Sequence, residues 1–99
     1  MVMQIWKFVL NLGDVGPNGV MLVDMPSQAE TLSVQLQNGS PVLWARVHPA
    51  AEPVKRVIGV ALTGKSENWL GDIHPFIDTV QFNGGAFVAH FFDLGEVPA

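Results

Sequence analysis

Residues 59–66 read GVALTGKS and match the pattern G-x-x-x-x-G-K-S, in which a glycine-rich loop holds nucleotide phosphates. In nucleotide hydrolases this loop follows a buried parallel strand and opens a long helix whose N-terminus helps to bind the phosphates. Gly71 and Pro75 follow too closely here to leave room for such a helix. We therefore expect no hydrolase site, but Lys65 and Ser66 are candidates for holding one phosphate without cleaving it.

Three histidines and an aspartate could take part in acid–base chemistry near neutral pH. The predicted last hairpin pairs Asp78 with His90, while His48 and His74 lie elsewhere in the chain. A hydrolase built on Asp78 and His90 ranks last among our hypotheses, because no nucleophile is placed beside them. A cross-strand contact that fixes the register explains the pair more simply. The histidines lack metal-ligand spacing, so we predict no metal, no cofactor and no catalytic residue.

The three tryptophans are either core residues or flat surfaces on which a base could stack. We expect Trp6 in the core, whereas Trp44 falls on a polar strand face and Trp69 in an irregular loop. In a nucleotide site one of these two indoles would stack on the base, a cation would meet the phosphate, and polar side chains would read the base edges. The predicted ligand-binding residues are Gln35, Trp44, Arg46, Arg56, Lys65, Ser66, Asn68 and Trp69. The alternative is a sheet face covered by a loop or by a second copy of the chain.

The composition bounds the class of protein before any element is assigned. The chain has 99 residues, 48% of them hydrophobic and 14% charged, which fits one packed domain over 1–99 and excludes disorder. A net charge of −4 with five Lys and Arg argues against binding duplex nucleic acid. The absence of cysteine excludes disulfides and thiolate chemistry. No apolar run reaches the roughly 18 residues of a membrane span, and we expect a cytosolic protein.

The elements that must position these residues are predicted to be short antiparallel strands. Apolar residues alternate with period two, and Gly, Pro or Asn separates the runs. We predict strands over 3–10, 20–25, 31–37, 40–48, 54–63, 76–82 and 86–92, one turn of helix near 66–69, and a frayed tail over 95–99. About seven strands in a chain this short predict an all-β fold, a compact antiparallel sandwich or a partly open barrel.

The hairpin turned at Asn38-Gly39 carries the strongest local signal, since this dipeptide favours a type I′ turn. A two-residue loop places the apolar side chains of both strands on one face. The pairs are then Leu36 with Pro41, Val34 with Leu43 and Leu32 with Ala45. Trp44 and Arg46 lie on the opposite, polar face, and Pro41 indicates a sheet edge because proline lacks the N–H of a ladder.

The segment 32–45, LSVQLQNGSPVLWA, together with VDMP at 23–26 and QIWKF at 4–8, resembles a family of small proteins of tailed bacteriophages catalogued as a domain of unknown function. The run 80–92, VQFNGGAFVAHFF, is similar to the C-terminal hairpin of that family, so the resemblance covers nearly the whole chain. It implies a phage accessory protein acting in the cytoplasm of an infected bacterium, where such proteins often disarm host defence by binding. Arg46, His48 and the Lys65-Ser66 pair depart from the family pattern.

Together these observations predict a non-enzymatic binding module that forms a homo-oligomer. The first hypothesis is a counter-defence protein that sequesters a small nucleotide signal, of cyclic dinucleotide or ADP-ribose type, at an interface between copies of the chain. The alternative is a protein that blocks a host defence protein, or a minor structural or assembly component, acting through a sheet edge or the Trp44 face. No membrane and no duplex nucleic acid is expected as a partner.

Overall fold

A computed structural model describes residues 2–97 as an all-β fold of seven antiparallel strands. The strands are β1 (Gln4–Val9), β2 (Val20–Pro26), β3 (Glu30–Gln37), β4 (Ser40–Val47), β5 (Pro53–Leu62), β6 (Phe76–Phe82) and β7 (Phe87–Glu96). The connections hold 3₁₀ turns at Leu12–Asp14 and Asn68–Gly71, and a tight turn of positive-φ residues at Asn83–Gly85. The prediction of an all-β fold with about seven strands is confirmed.

The strands form two sheets that pack face to face. Sheet A has the order β1-β4-β3, and sheet B has the order β2-β5-β7-β6. The sheets do not close into a barrel, so of the two predicted architectures the sandwich is the correct one. Along one side β3 and β6 lie edge to edge, where Asp78 of β6 accepts the backbone N–H of Val34 at 3.3 Å. No helix within residues 2–97 has the length and apolarity needed to cross a bilayer.

The period-two pattern puts one set of side chains from each strand between the sheets. Val34, Leu43 and Val47 enter this core from sheet A, and Ile58 and Phe91 enter from sheet B. Each is at most 1% exposed, and burying a side chain of this size stabilises the fold by about 1.5–3 kcal/mol. In β1 the same alternation pairs Trp6 and Phe8 with buried positions of β4, and Ile5 and Lys7 with outward-facing positions.

The β3–β4 hairpin follows the predicted register near its turn and departs from it further on. Leu36 pairs with Pro41 and Val34 with Leu43, as predicted. A bulge at Leu32 then shifts the register, so Thr31 faces Ala45 and the predicted pairing of Leu32 is wrong. The bulge turns Thr31 towards the core, where its hydroxyl donates to the Asp93 carboxylate at 2.8 Å.

Pro41 lies on a central strand, which corrects the prediction that it marks a sheet edge. Its carbonyl accepts the N–H of Leu10 at 2.9 Å, and Leu10 lies one residue beyond the end of β1. The missing N–H of Pro41 therefore falls where the neighbouring strand has already ended, so no ladder bond inside sheet A is lost.

The β6–β7 hairpin is one residue out of its predicted register. Phe82 pairs with Phe87, so the loop has four residues, 83–86, and not three. Asn83, Gly84 and Gly85 all have positive φ, and Ala86 completes the loop. His90 consequently faces Thr79, and the predicted pairing of Asp78 with His90 is wrong.

The predicted fraying of the tail is wrong as far as Val97. Glu96 is the last residue of β7, and the N–H of Val97 donates to the Lys55 carbonyl at 2.8 Å. The part of the predicted tail at 98–99 lies outside the described residues.

Candidate functional site

An open cleft of about 450 Å³ lies between the loop after β1 and the loop after β5. Leu12, Val15, Val60 and Phe87 give it apolar surface, and Lys65 with Ser66 adds polar groups. Its volume falls within the range of small-molecule sites, which combine apolar walls with a few polar groups. The same two loops border a second depression of about 600 Å³ that reaches Asn68 and Trp69. Four of the eight predicted ligand-binding residues therefore lie along one loop beside these cavities.

A tight turn at Gly64 carries Lys65 and Ser66 to the cleft. The N–H of Lys65 donates to the Leu62 carbonyl at 3.0 Å, and Gly64 has a φ of 86°. This is the geometry of a type II turn, whose third position favours glycine. The next regular element is a four-residue 3₁₀ turn, Asn68–Gly71, and not a long helix. The glycine-rich motif is therefore a strand followed by a turn.

Phe87 offers a flat aromatic surface beside Lys65. One face of its ring stacks on Phe82, with ring centres 4.5 Å apart and an interplanar angle of 6°. The residue remains 39% exposed and lines the cleft. Our sequence reasoning missed Phe87, because the one-residue error in the loop before β7 hid its position at the start of that strand.

Glu67 is the acidic residue of the cleft and was also missed. A methyl group placed on Gly19 would overlap the Glu67 carboxylate, so this carboxylate lies directly against the Gly19 backbone. Gly19 has a positive φ of 74° and can take this close approach because it has no side chain. The turn glycines of residues 13–19 predicted a loop, but nothing in the sequence indicated which side chain would pack on it.

The Trp69 indole is engaged in packing against sheet B. A Cβ on Gly59 would come within 2.8 Å of the indole, so the six-membered ring of Trp69 lies directly against that glycine. Phe92 meets the ring edge to face at 5.5 Å, and the indole N–H donates to the Asn18 carbonyl at 3.1 Å. The alternative interpretation of a sheet face covered by a loop describes this tryptophan.

Arg56 lies between the sheets and not at the cleft. It is 5% exposed, and its guanidinium contacts Asp93 at 2.8 Å and Glu96 at 3.2 Å. It also donates to the Ala29 carbonyl at 2.8 Å. A buried charge needs such partners, so this guanidinium is already committed to carboxylates of its own chain.

Trp44, Gln35 and Arg46 share the outer face of sheet A, as parity predicted. Trp44 is half-buried, and Arg46 is exposed and paired with Glu30. The cleft, by contrast, is formed by loops that flank sheet B. The structure thus distributes the eight predicted residues over three places: this outer face, the buried Arg56 and the loop with Lys65.

His90 contacts two threonine hydroxyls. Its Nε2 lies 2.7 Å from Thr63 Oγ1, and its Nδ1 lies 2.9 Å from Thr79 Oγ1. The Asp78 carboxylate instead accepts N–H groups of Val34 and Thr79. The acid–base pair behind the hydrolase hypothesis is therefore not formed. Between residues 2 and 97, no cluster of three or more potential metal ligands occurs.

The chain belongs to a family described as a domain of unknown function, DUF7352, whose family model matches residues 1–98. The predicted membership of a family of unknown function is thereby confirmed. Searches of curated proteins and of solved structures found no match.

Proposed function

We propose that this protein is a non-enzymatic module that binds a small nucleotide in the cleft between the loops after β1 and β5. The observation that carries the proposal is the grouping of Lys65, Ser66 and Glu67 beside the exposed ring of Phe87 on an apolar floor. A phosphate, a ribose and a base require a cation, hydrogen-bonding groups and a flat apolar surface, and this cleft offers all three.

Each part of the ligand has a candidate partner. Lys65 donates to a phosphate oxygen as a charged group, and the Ser66 hydroxyl adds a second donor. The Glu67 carboxylate accepts from ribose hydroxyls, as acidic residues do in dinucleotide sites. Phe87 stacks on the base through the face that Phe82 leaves open. One lysine beside one carboxylate favours a ligand with free ribose hydroxyls, the ADP-ribose type, over a cyclic dinucleotide.

The biological part of the proposal is sequestration in the cytoplasm of an infected bacterium. A phage accessory protein that holds a nucleotide signal without cleaving it would withhold that signal from host defence. Homo-oligomers are part of this proposal, because the cleft of one chain is open and a second copy can supply a further wall.

Calorimetric titration tests the binding. ADP-ribose and a set of cyclic dinucleotides are titrated into the wild-type protein, Lys65→Ala and Lys55→Ala. Lys65→Ala should weaken binding about 10- to 100-fold, since a hydrogen bond to a charged group contributes about 1.5–3 kcal/mol. Lys55→Ala is the matched control, because Lys55 pairs with Asp24 on the sheet surface, away from the cleft. Chromatography of the recovered ligand should show it unchanged.

Two results would overturn the proposal. One is the absence of binding heat for every nucleotide of the set. The other is binding that Trp44→Ala abolishes and Lys65→Ala leaves intact, which would place the site on the outer face of sheet A. The second candidate function, blockade of a host protein through a sheet edge, draws support from the exposure of β1.

A further inference from the structure

The four edge strands of the sandwich differ in how they are protected. β3 and β6 lie against one another, so each covers the edge of the other. β2 ends in Pro26, which lacks the N–H needed for pairing with a further strand. β1 has no proline, and its one charged side chain, Lys7, is turned across sheet A, where its Nζ donates to Gln37 Oε1 at 2.9 Å. Within residues 2–97, β1 pairs with β4 alone, on one side.

Both faces of β1 carry exposed apolar side chains. Ile5 and Val9 are 56% and 67% exposed on the outer face of sheet A. Trp6 points to the inner side but is 36% exposed, which corrects the prediction that it is a core residue. It lies at the mouth of a groove between β1 and β2. An unpaired edge strand that exposes apolar side chains on both faces is a template for adding another strand.

The register identifies the backbone groups that β1 leaves free. The Leu10 N–H donates to Pro41, and the same register continues through Phe8–Leu43 and Trp6–Ala45. Because hydrogen-bonded and non-hydrogen-bonded pairs alternate in an antiparallel ladder, these even-numbered residues bond to β4. The N–H and C=O groups of Ile5, Lys7 and Val9 therefore point away from the sheet.

We infer that β1 pairs antiparallel with β1 of a second copy of this chain, about a twofold axis at Trp6. In this register the outer faces of the two A sheets lie on the same side of the combined sheet. Ile5 pairs with Lys7 of the second copy, and the backbone groups of both residues are free to bond. A register centred on Lys7 would oppose the two Lys7 residues directly, and like charges in that position are unfavourable. Centring on Trp6 avoids that contact and packs the two half-exposed indoles together.

The apolar area that the dimer would bury supports a second copy of the chain as the partner of the β1 edge. Val2, Met3, Ile5, Trp6 and Val9 are all exposed, and each offers on the order of 100 Å². Burying them on both chains removes on the order of 1,000 Å² from water, close to the lower limit for a specific interface. The result is a six-stranded sheet, β3-β4-β1 continued by the same strands of the second copy. This inference does not depend on the nucleotide proposal.

Substitutions at Ile5 test the partner and the register together. Analytical ultracentrifugation over a wide concentration range should show a monomer–dimer equilibrium for the wild-type protein. Ile5→Lys should raise the dimer dissociation constant about tenfold or more, because each new ammonium faces Lys7 of the other copy. Ile5→Glu should weaken the dimer less than Ile5→Lys does, since its carboxylate faces the same lysine. Thermal unfolding of the Ile5→Lys and Ile5→Glu variants checks that each keeps the fold.

A cross-link gives an independent reading of the axis. The chain has no cysteine, so Trp6→Cys introduces a single thiol at the proposed axis, where opposite Cβ atoms lie about 4.5–5.5 Å apart. Under mild oxidation Trp6→Cys should give a disulfide-linked dimer rapidly, and Val9→Cys should not. A wild-type protein that stays monomeric at all concentrations would overturn the inference. So would a dimer that Ile5→Lys and Ile5→Glu affect equally, or equal cross-linking of the two cysteine variants.

Discussion

Arg56 and Asp93 form an ion pair inside the sandwich, with Arg56 Nη1 lying 2.8 Å from Asp93 Oδ2. Both side chains are nearly inaccessible, and Asp93 also accepts the hydroxyl of Thr31 from the opposite sheet. The pair thus links strands of sheet B to sheet A through one carboxylate. A bulge in the β5–β7 ladder between Arg56 and Ile58 accompanies this arrangement.

We expect Arg56→Ala to destabilise the protein by about 3–5 kcal/mol, because it leaves Asp93 and Glu96 without their cation. Arg46→Ala is the matched control, since Arg46 pairs with Glu30 at the exposed surface. That pair should contribute no more than about 1 kcal/mol. Urea unfolding of the two variants measures the difference, and equal losses of stability would contradict the buried role of Arg56.

The pH dependence of stability should carry a contribution from Glu96. The Gln28 N–H donates to its carboxylate and holds the pKa below the usual value of about 4.5; burial opposes this effect, and Arg56 adds to it. Because the folded-state pKa is the lower one, the contribution is fully present above about pH 4.5 and is lost as the pH falls through the folded-state value. Thermal unfolding from pH 6 to pH 3 should therefore show a smaller acid-induced loss of stability for Glu96→Gln than for the wild-type protein. Identical profiles would show that Glu96 makes no contribution.

Gly59→Ala tests whether the first glycine of the G-x-x-x-x-G-K-S motif serves packing. The added methyl would come within 2.7 Å of Trp69 Cη2 and 2.8 Å of Leu94 Cδ1. We expect a loss of about 1–3 kcal/mol and a change in tryptophan fluorescence as the indole moves. Gly71→Ala is the control, because no atom lies within 4 Å of its added methyl. If Gly59→Ala proved as stable as Gly71→Ala, Trp69 would not be seated on this glycine.

Gly64 should couple the turn after β5 to ligand binding. Its added methyl would meet open space, so Gly64→Ala acts through the positive φ alone and should destabilise the turn by about 1 kcal/mol. Gly64→Asn should be milder, because asparagine tolerates this conformation. Nucleotide affinity measured by calorimetry should be highest for the wild-type protein, lower for Gly64→Asn and lowest for Gly64→Ala. Equal affinities for all three proteins would show that the turn at Gly64 does not position Lys65 for binding.

The sequence predicted the strands and their faces because period-two alternation is a local property. The Asn38-Gly39 turn even set the pairing of Val34 with Leu43. The bulge at Leu32 was not predictable, since the contact that accompanies it joins Thr31 to Asp93, which lie 62 residues apart. The loop before Phe87 was predicted one residue too short. The residues Asn83-Gly84-Gly85 indicated a turn, but nothing in the sequence showed that Ala86 also belongs to it.

Only part of the candidate site was predicted from the sequence, because the other part also depends on contacts between distant segments. Lys65 and Ser66 were found because they complete a recognisable motif. Glu67 and Phe87 carry no motif, and they join the cleft through the packing of loops from distant parts of the chain. The ion pairs of Arg56 were not predictable, because its carboxylate partners lie on β7, a strand that no local pattern connects to β5.

Amide chemical-shift mapping of ¹⁵N-labelled protein during titration with ADP-ribose locates the proposed nucleotide site residue by residue. We expect saturable shifts confined to residues 12–19 and 62–67 and to Phe87, and much weaker shifts in Lys65→Ala at the same ligand concentration. Unchanged spectra at millimolar nucleotide, or shifts centred on Trp44 and Arg46, would contradict nucleotide binding in this cleft.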